Sequence, residues 1–102
     1  MFWGVVMIKK YRDIYKKIYE KWGLESQERM CIEEMSELTK ELCKRVRYET
    51  ADKENQIKIN IIEELADVIN CVEQLIYIYG EEKVEKVRKE KLERLFSKYN
   101  FD

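Results

Sequence analysis

The sequence predicts an all-α chain, and three observations carry that prediction. Apolar residues recur at spacings of three and four along most of the chain, proline is absent, and the only glycines are Gly4, Gly23 and Gly80. Spacings of three and four place apolar side chains on one face of a helix. A chain with so few breakers has room for long helices. At 102 residues, one domain spanning 1–102 is the expectation.

The first helix is expected from Met7 to Trp22. Ile8, Tyr11, Tyr15, Ile18, Tyr19 and Trp22 form an apolar and aromatic stripe, and Gly23 is a natural stop. Such stripes usually pack as core or subunit interface. Trp22, at the helix end, is the candidate for the other use of an aromatic, stacking on a nucleobase. Ser26 reads as the N-cap of a second helix, with Gln27 and Glu28 in its first turn. Cys31, Ile32, Met35, Leu38, Leu42 and Val46 mark its buried side. Glu34, Glu37 and Glu41 form a stripe about 120° from the centre of that side, counting about 100° per residue. Lys44, Arg45 and Arg47 close the helix, where its dipole favours cations.

Residues 48–56 show no periodicity and read as the one real loop. A third helix follows from Gln56 to Tyr79 and ends at Gly80, with Ile61, Leu65, Val68 and Val72 on its apolar face. Glu64 lies about 70° from the apolar centre and Asp67 further round, on the flank that also carries Asn60 and Cys71. The fourth helix spans Glu81 to Tyr99. Val84, Val87, Leu92 and Leu95 give its apolar side, and Glu81, Glu82 and Glu85 suit its N-terminus. Arg88 and Lys91 fall inside the apolar stripe. Either their stems snorkel along the core edge, or one of them reaches a bound phosphate.

Composition excludes several classes of function. Lys and Arg number 20 against 21 Asp and Glu, a net charge of −1; a general nucleic-acid binder would be basic. There is no histidine, so Ser–His and Cys–His catalysis and imidazole metal ligands are absent. Cys31, Cys43 and Cys71 lack C-x-x-C spacing and suggest reduced, buried thiols of a cytoplasmic protein. Residues 1–8 are apolar but too short to span a bilayer and lack a signal-peptide pattern, so no membrane partner is expected. Met7 offers a second start, which would make residues 1–6 a dispensable extension.

Glu34 and Glu37 are three residues apart on one helix, and Glu64 and Asp67 three apart on another. Like charges at that spacing repel, and a helix shaped only for stability would place a cation there. Both pairs border apolar faces, where two helices of a bundle leave a cleft and where bundle metal sites are built. Four carboxylates supply the oxygen ligands that Mg²⁺ takes alongside water and phosphate. The bland alternative is solvated charge, because glutamate is a good helix former.

The words Ile32-Glu33-Glu34-Met35-Ser36-Glu37-Leu38 and Glu63-Glu64-Leu65-Ala66-Asp67-Val68 leave a 26-residue gap between Glu37 and Glu64. They resemble the EExxE and ExxD signature of the MazG-like, all-α nucleoside triphosphate pyrophosphohydrolases. The likeness runs from about Trp22 to Leu95, and Val72-Glu73-Gln74-Leu75 with Glu90-Lys91-Leu92-Glu93-Arg94-Leu95 is similar to a short, phage-type subgroup. The resemblance implies a four-helix bundle that forms a homo-dimer or homo-tetramer. It implies Mg²⁺, with Mn²⁺ as substitute, on Glu34, Glu37, Glu64 and Asp67, supported by Glu33 and Asn70. It implies hydrolysis of an NTP or dNTP to the monophosphate and pyrophosphate, with Glu37 or Glu34 as the general base. Lys91 or Arg88 would hold the phosphate tail and Trp22 would meet the base. The competing expectation is a helical dimer without activity, acting as an interaction or regulatory module.

Overall fold

The computed structural model describes residues 9–47 and 51–99. They form three helices, α1 (Lys9–Arg47), α2 (Ala51–Tyr79) and α3 (Glu81–Tyr99), with no strand among them. Residues 1–8, with Met7 and Ile8, and residues 48–50 of the expected loop lie outside this description.

The expected end at Gly23 is a break inside α1. Gly23 has φ 80° and ψ 174°, a region that side chains make costly and glycine enters freely. Two hydrogen bonds show what the break does. The Tyr15 hydroxyl donates to Glu73 at 2.8 Å, and the Tyr79 hydroxyl donates to Glu28 at 2.9 Å. Tyr15 and Glu28 would stand about 20 Å apart on a straight helix, whereas Glu73 and Tyr79 are separated by only about 9 Å of α2. The segment before Gly23 therefore folds back over the C-terminal half of α2. Helix geometry resumes directly after Gly23, so Ser26 lies within the helix and is not its N-cap.

From Leu24 to Arg47, α1 runs antiparallel to α2. Glu28 meets Tyr79 at one end and Glu41 meets Asn60 at the other. The second helix of this pair begins at Ala51, five residues earlier than its apolar periodicity suggested. Residues 51–56, Ala-Asp-Lys-Glu-Asn-Gln, add a polar first turn and a half that has no apolar stripe to reveal it. A single residue, Gly80 at φ 121°, then separates α2 from α3. Its N–H donates to the Ile76 carbonyl at 2.9 Å, closing α2 as α3 begins.

Burial departs most from the sequence expectation. Among the described residues the buried apolar side chains are Tyr15, Cys31, Ile57 and Cys71, joined by Gln27 and Glu41. Ile32, Met35, Leu42 and Val46, assigned to a buried face by period, are exposed, as is Leu65. Period identifies a face, but burial needs something to lie on it. The fourth predicted helix does not supply that cover. Its packing is against α2 alone, and none of its residues is buried. Val87, Leu92 and Leu95 stand in the open, with Phe96 and Tyr99 beyond them. One ion pair, Arg12 to Glu81 at 3.1 Å, ties the start of α3 to the first segment of α1. The result is thin, 43 × 42 × 22 Å. No described helix is long and apolar enough to cross a membrane.

Candidate metal centre

The antiparallel register brings the two acidic words face to face. Glu34 of α1 and Glu64 and Asp67 of α2 each offer a carboxylate oxygen, and these three atoms lie within 4.8 Å of one another. Glu34 and Glu64 are half-buried between the helices, while Asp67 is exposed. One oxygen of Glu64, Oε2, is buried and has no hydrogen-bond partner. Burial and the charges of Glu34, Asp67, Glu37 and Glu41 all push the Glu64 carboxyl above its ordinary range. Each penalises an ionised acid that has nothing positive beside it.

Glu37 departs from the expected quartet. It is exposed and stands outside the trio, although its charge still acts on Glu64. Relative to the α1–α2 contact, Glu34 and Glu64 are turned by only about 10°, whereas Glu37 and Asp67 are each turned by about 70°, so phase alone does not separate Glu37 from the trio. Glu33, turned further again, is exposed.

One turn from the acids, Cys31 and Cys71 face each other across the same contact at 2 % and 6 % exposure. Burial is the main force raising both thiols, Cys71 to about 11. Protonated, small and enclosed, they serve as packing that lets the helices approach where the carboxylates meet. This agrees with the reading of both as reduced core thiols; Cys43 is exposed.

A partnered acid, whose role sequence spacing alone does not reveal, lies two turns along α1. Glu41, buried at 8 % exposure, accepts from Lys44 Nζ at 3.2 Å and from Asn60 Nδ2 at 3.4 Å. Gln56 in turn donates to Asn60 at 3.0 Å. The signal was present: Glu41 continues the Glu34–Glu37 stripe, and Asn60 occupies the same flank of its own helix as Glu64.

The residues proposed to hold substrate are more scattered. Trp22 is exposed, with Lys21 Nζ 4.7 Å from its ring centre. It lines an open hollow of about 470 Å³ with Glu25, Ser26, Arg29, Met30 and Glu33. That hollow reaches the neighbour of Glu34. Asn70 is exposed one turn beyond Asp67 and rotated further from Glu64. Arg88 and Lys91 are exposed on α3, and neither makes a hydrogen bond or ion pair with a described residue. Within one chain, then, three of the four acids converge and the cations do not join them.

Chemically, the trio is a hard-oxygen donor set with one buried, unsatisfied oxygen, and a divalent cation that prefers carboxylates and water suits it. No family model matches the chain, and neither does any curated protein or solved structure.

Proposed function

We propose that the chain is a Mg²⁺-dependent nucleoside triphosphate pyrophosphohydrolase of the MazG-like kind, converting an NTP or dNTP to the monophosphate and pyrophosphate. The observation that carries this reading is the convergence of Glu34, Glu64 and Asp67, with a buried oxygen of Glu64, Oε2, left without a hydrogen-bond partner. The paired acidic words, at the spacing of that signature, supply the reaction class. Glu34, Glu64 and Asp67 would hold Mg²⁺, or Mn²⁺ in its place. When bound, such an ion offsets polyphosphate charge and acidifies water. Glu37, adjacent but outside the trio, remains able to accept a proton from an attacking water. Glu34 is the alternative base only where it is not taken up as a ligand. Trp22 stacks the base, and Arg88, Lys91 and Asn70 attend the substrate in an oligomer built around a four-helix bundle, the enzyme working in the cytoplasm.

The test is pyrophosphate release from a panel of NTPs, dNTPs and other diphosphate-linked metabolites, with and without Mg²⁺. Metal-dependent release of pyrophosphate and monophosphate is expected. No turnover of any compound would leave the second reading, a helical dimer acting as an interaction module. That reading draws on the exposed apolar side chains of all three helices.

A further inference from the structure

The first segment of α1, Lys9–Trp22, carries charge out of proportion to its length. It holds six Lys and Arg against two Asp and Glu, a charge of +4 in a chain whose total is −1. Its apolar side chains and several of its cations share one flank. The reference direction is Tyr15, buried and hydrogen-bonded to Glu73 of α2. Counting about 100° per residue from it, Tyr11, Ile18 and Ile14 are turned by about 40°, 60° and 100° one way. Lys21, Lys10 and Lys17 follow the same way, at about 120°, 140° and 160°. The two acids, Asp13 and Glu20, are turned the other way, by about 160° and 140°. The flank therefore runs from apolar to cationic with no acid inside it.

This flank stands open. Tyr11 is 44 % and Ile14 41 % exposed, Ile18 is half-buried, and Lys10, Lys17 and Lys21 are exposed. Lys10 and Lys17 make no hydrogen bond or ion pair with a described residue. Lys21 lies over the ring of Trp22 at 4.7 Å. The rest of the segment is anchored. Tyr15 holds Glu73 at 2.8 Å, and Arg12, turned about 60° toward the side of the acids, holds Glu81 at 3.1 Å. The segment is thus fastened to α2 and α3 along one side and presents the other.

We propose that this flank rests on an anionic lipid surface, with Tyr11, Ile14 and Ile18 at the acyl boundary and Lys10, Lys17 and Lys21 among the headgroups. A helix lying in the interface needs an apolar side bordered by cations whose stems reach out to the headgroups, and the order of residues round this segment supplies both. The charge is complementary, because clustered lysines are drawn to the anionic lipids of a cytoplasmic leaflet. Ile14 and Ile18 favour lipid over a nucleic acid: an aliphatic side chain has no ring to stack on a base, whereas acyl chains accept it. In sequence, the run Phe2-Trp3-Gly4-Val5-Val6-Met7-Ile8 directly precedes Lys9, carries no charge and adds to the same chemistry. No described helix is long and apolar enough to cross a membrane, and contact along a surface requires no crossing. The acids of the candidate metal centre stand on other segments, so this inference is independent of the nucleotide chemistry.

Co-sedimentation of the full chain with lipid vesicles tests it. Vesicles of phosphatidylcholine mixed with phosphatidylserine should capture the chain at least about tenfold more tightly than phosphatidylcholine alone, and less tightly as salt rises. Replacing Lys10, Lys17 and Lys21 together by Gln should weaken binding to the mixed vesicles about a hundredfold, at about fivefold for each lysine. Ile14→Gln should weaken it about tenfold, through lost apolar burial. Lys40→Gln, at an exposed position in the second part of α1, should leave it unchanged. All of these positions are exposed or on the open flank, so each variant should keep the circular dichroism and Tm of the wild type. A wild type that stays in solution with mixed vesicles would overturn the proposal. Binding that the triple lysine variant retains in full would do the same, as would capture of a single-stranded oligonucleotide in place of the mixed vesicles.

Discussion

Glu41 and Glu64 occupy the same interface and meet opposite treatment there. Both are acids that lean into the α1–α2 contact. Glu41 is the more buried, yet it has Lys44 at 3.2 Å and Asn60 at 3.4 Å, with Gln56 holding Asn60 from behind. Glu64 sits among Glu34, Asp67, Glu37 and Glu41, all acidic, and its Oε2 has no donor. A buried acid without a partner is costly, and partnering removes most of that cost. The same helices supply a lysine and an amide to one acid and more acids to the other. An acid left in that state fits a place for a cation from solution, whereas Glu41 is complete as a structural link.

The sharpest way to break this comparison is to neutralise each acid in turn. Glu64→Gln and Asp67→Asn remove a charged ligand without changing volume. If the trio holds the catalytic cation, turnover should fall roughly a thousandfold or more, since several kcal/mol of charge stabilisation are at stake. Mn²⁺ binding should weaken in parallel, while helix content is retained. Glu41→Gln should leave Mn²⁺ affinity nearly unchanged and instead lower stability by about 1–2 kcal/mol, through the lost charge-assisted hydrogen bonds. Equal loss of Mn²⁺ affinity in the Glu41 and Glu64 variants would erase the distinction between the two sites.

A smaller effect separates Glu37 from Glu34. If Glu37 accepts a proton and does not bind the ion, Glu37→Gln should lower kcat by about a hundredfold with little change in Mn²⁺ affinity. Glu34→Gln should lower both. Matching losses of affinity in the two variants would return Glu37 to the ligand set that the sequence suggested.

What the sequence showed and hid follows from how each feature is encoded. Gly23 and Gly80 were visible as breaks because their positive φ angles require glycine. The two acidic words were visible because like charges three apart are conspicuous on a helix. The start of α2 was hidden because residues 51–56 are polar and leave no apolar period. The separation of Glu37 from the trio was hidden because E-x-x-E and E-x-x-D look alike in one dimension. Spacing along one helix does not say which carboxylates meet across two. Burial was hidden most completely. Ile32 and Cys31 are adjacent and both apolar, yet one faces open space and the other faces Cys71, a difference set by which neighbour arrives.

The smallest effect expected is also the most direct measure of the frustration at Glu64. Its folded-state pKa is raised, so in the apo protein the folded chain binds a proton there more tightly than the unfolded chain does. The cost of ionising Glu64 is absent below the ordinary glutamate pKa, near 4.5. It appears as pH rises through that value and the higher folded one, and is fully present above both. Glu64→Gln, which never ionises, escapes it. The variant should therefore melt a few degrees above the wild type at pH 7 without metal. The gap should shrink to nothing as pH falls below the ordinary glutamate range. Millimolar Mn²⁺ should reverse its sign at pH 7, because only the wild type gains the bound ion. A gap that is independent of pH would trace the difference to packing and remove Glu64 from the role of an acid held ionised for a cation.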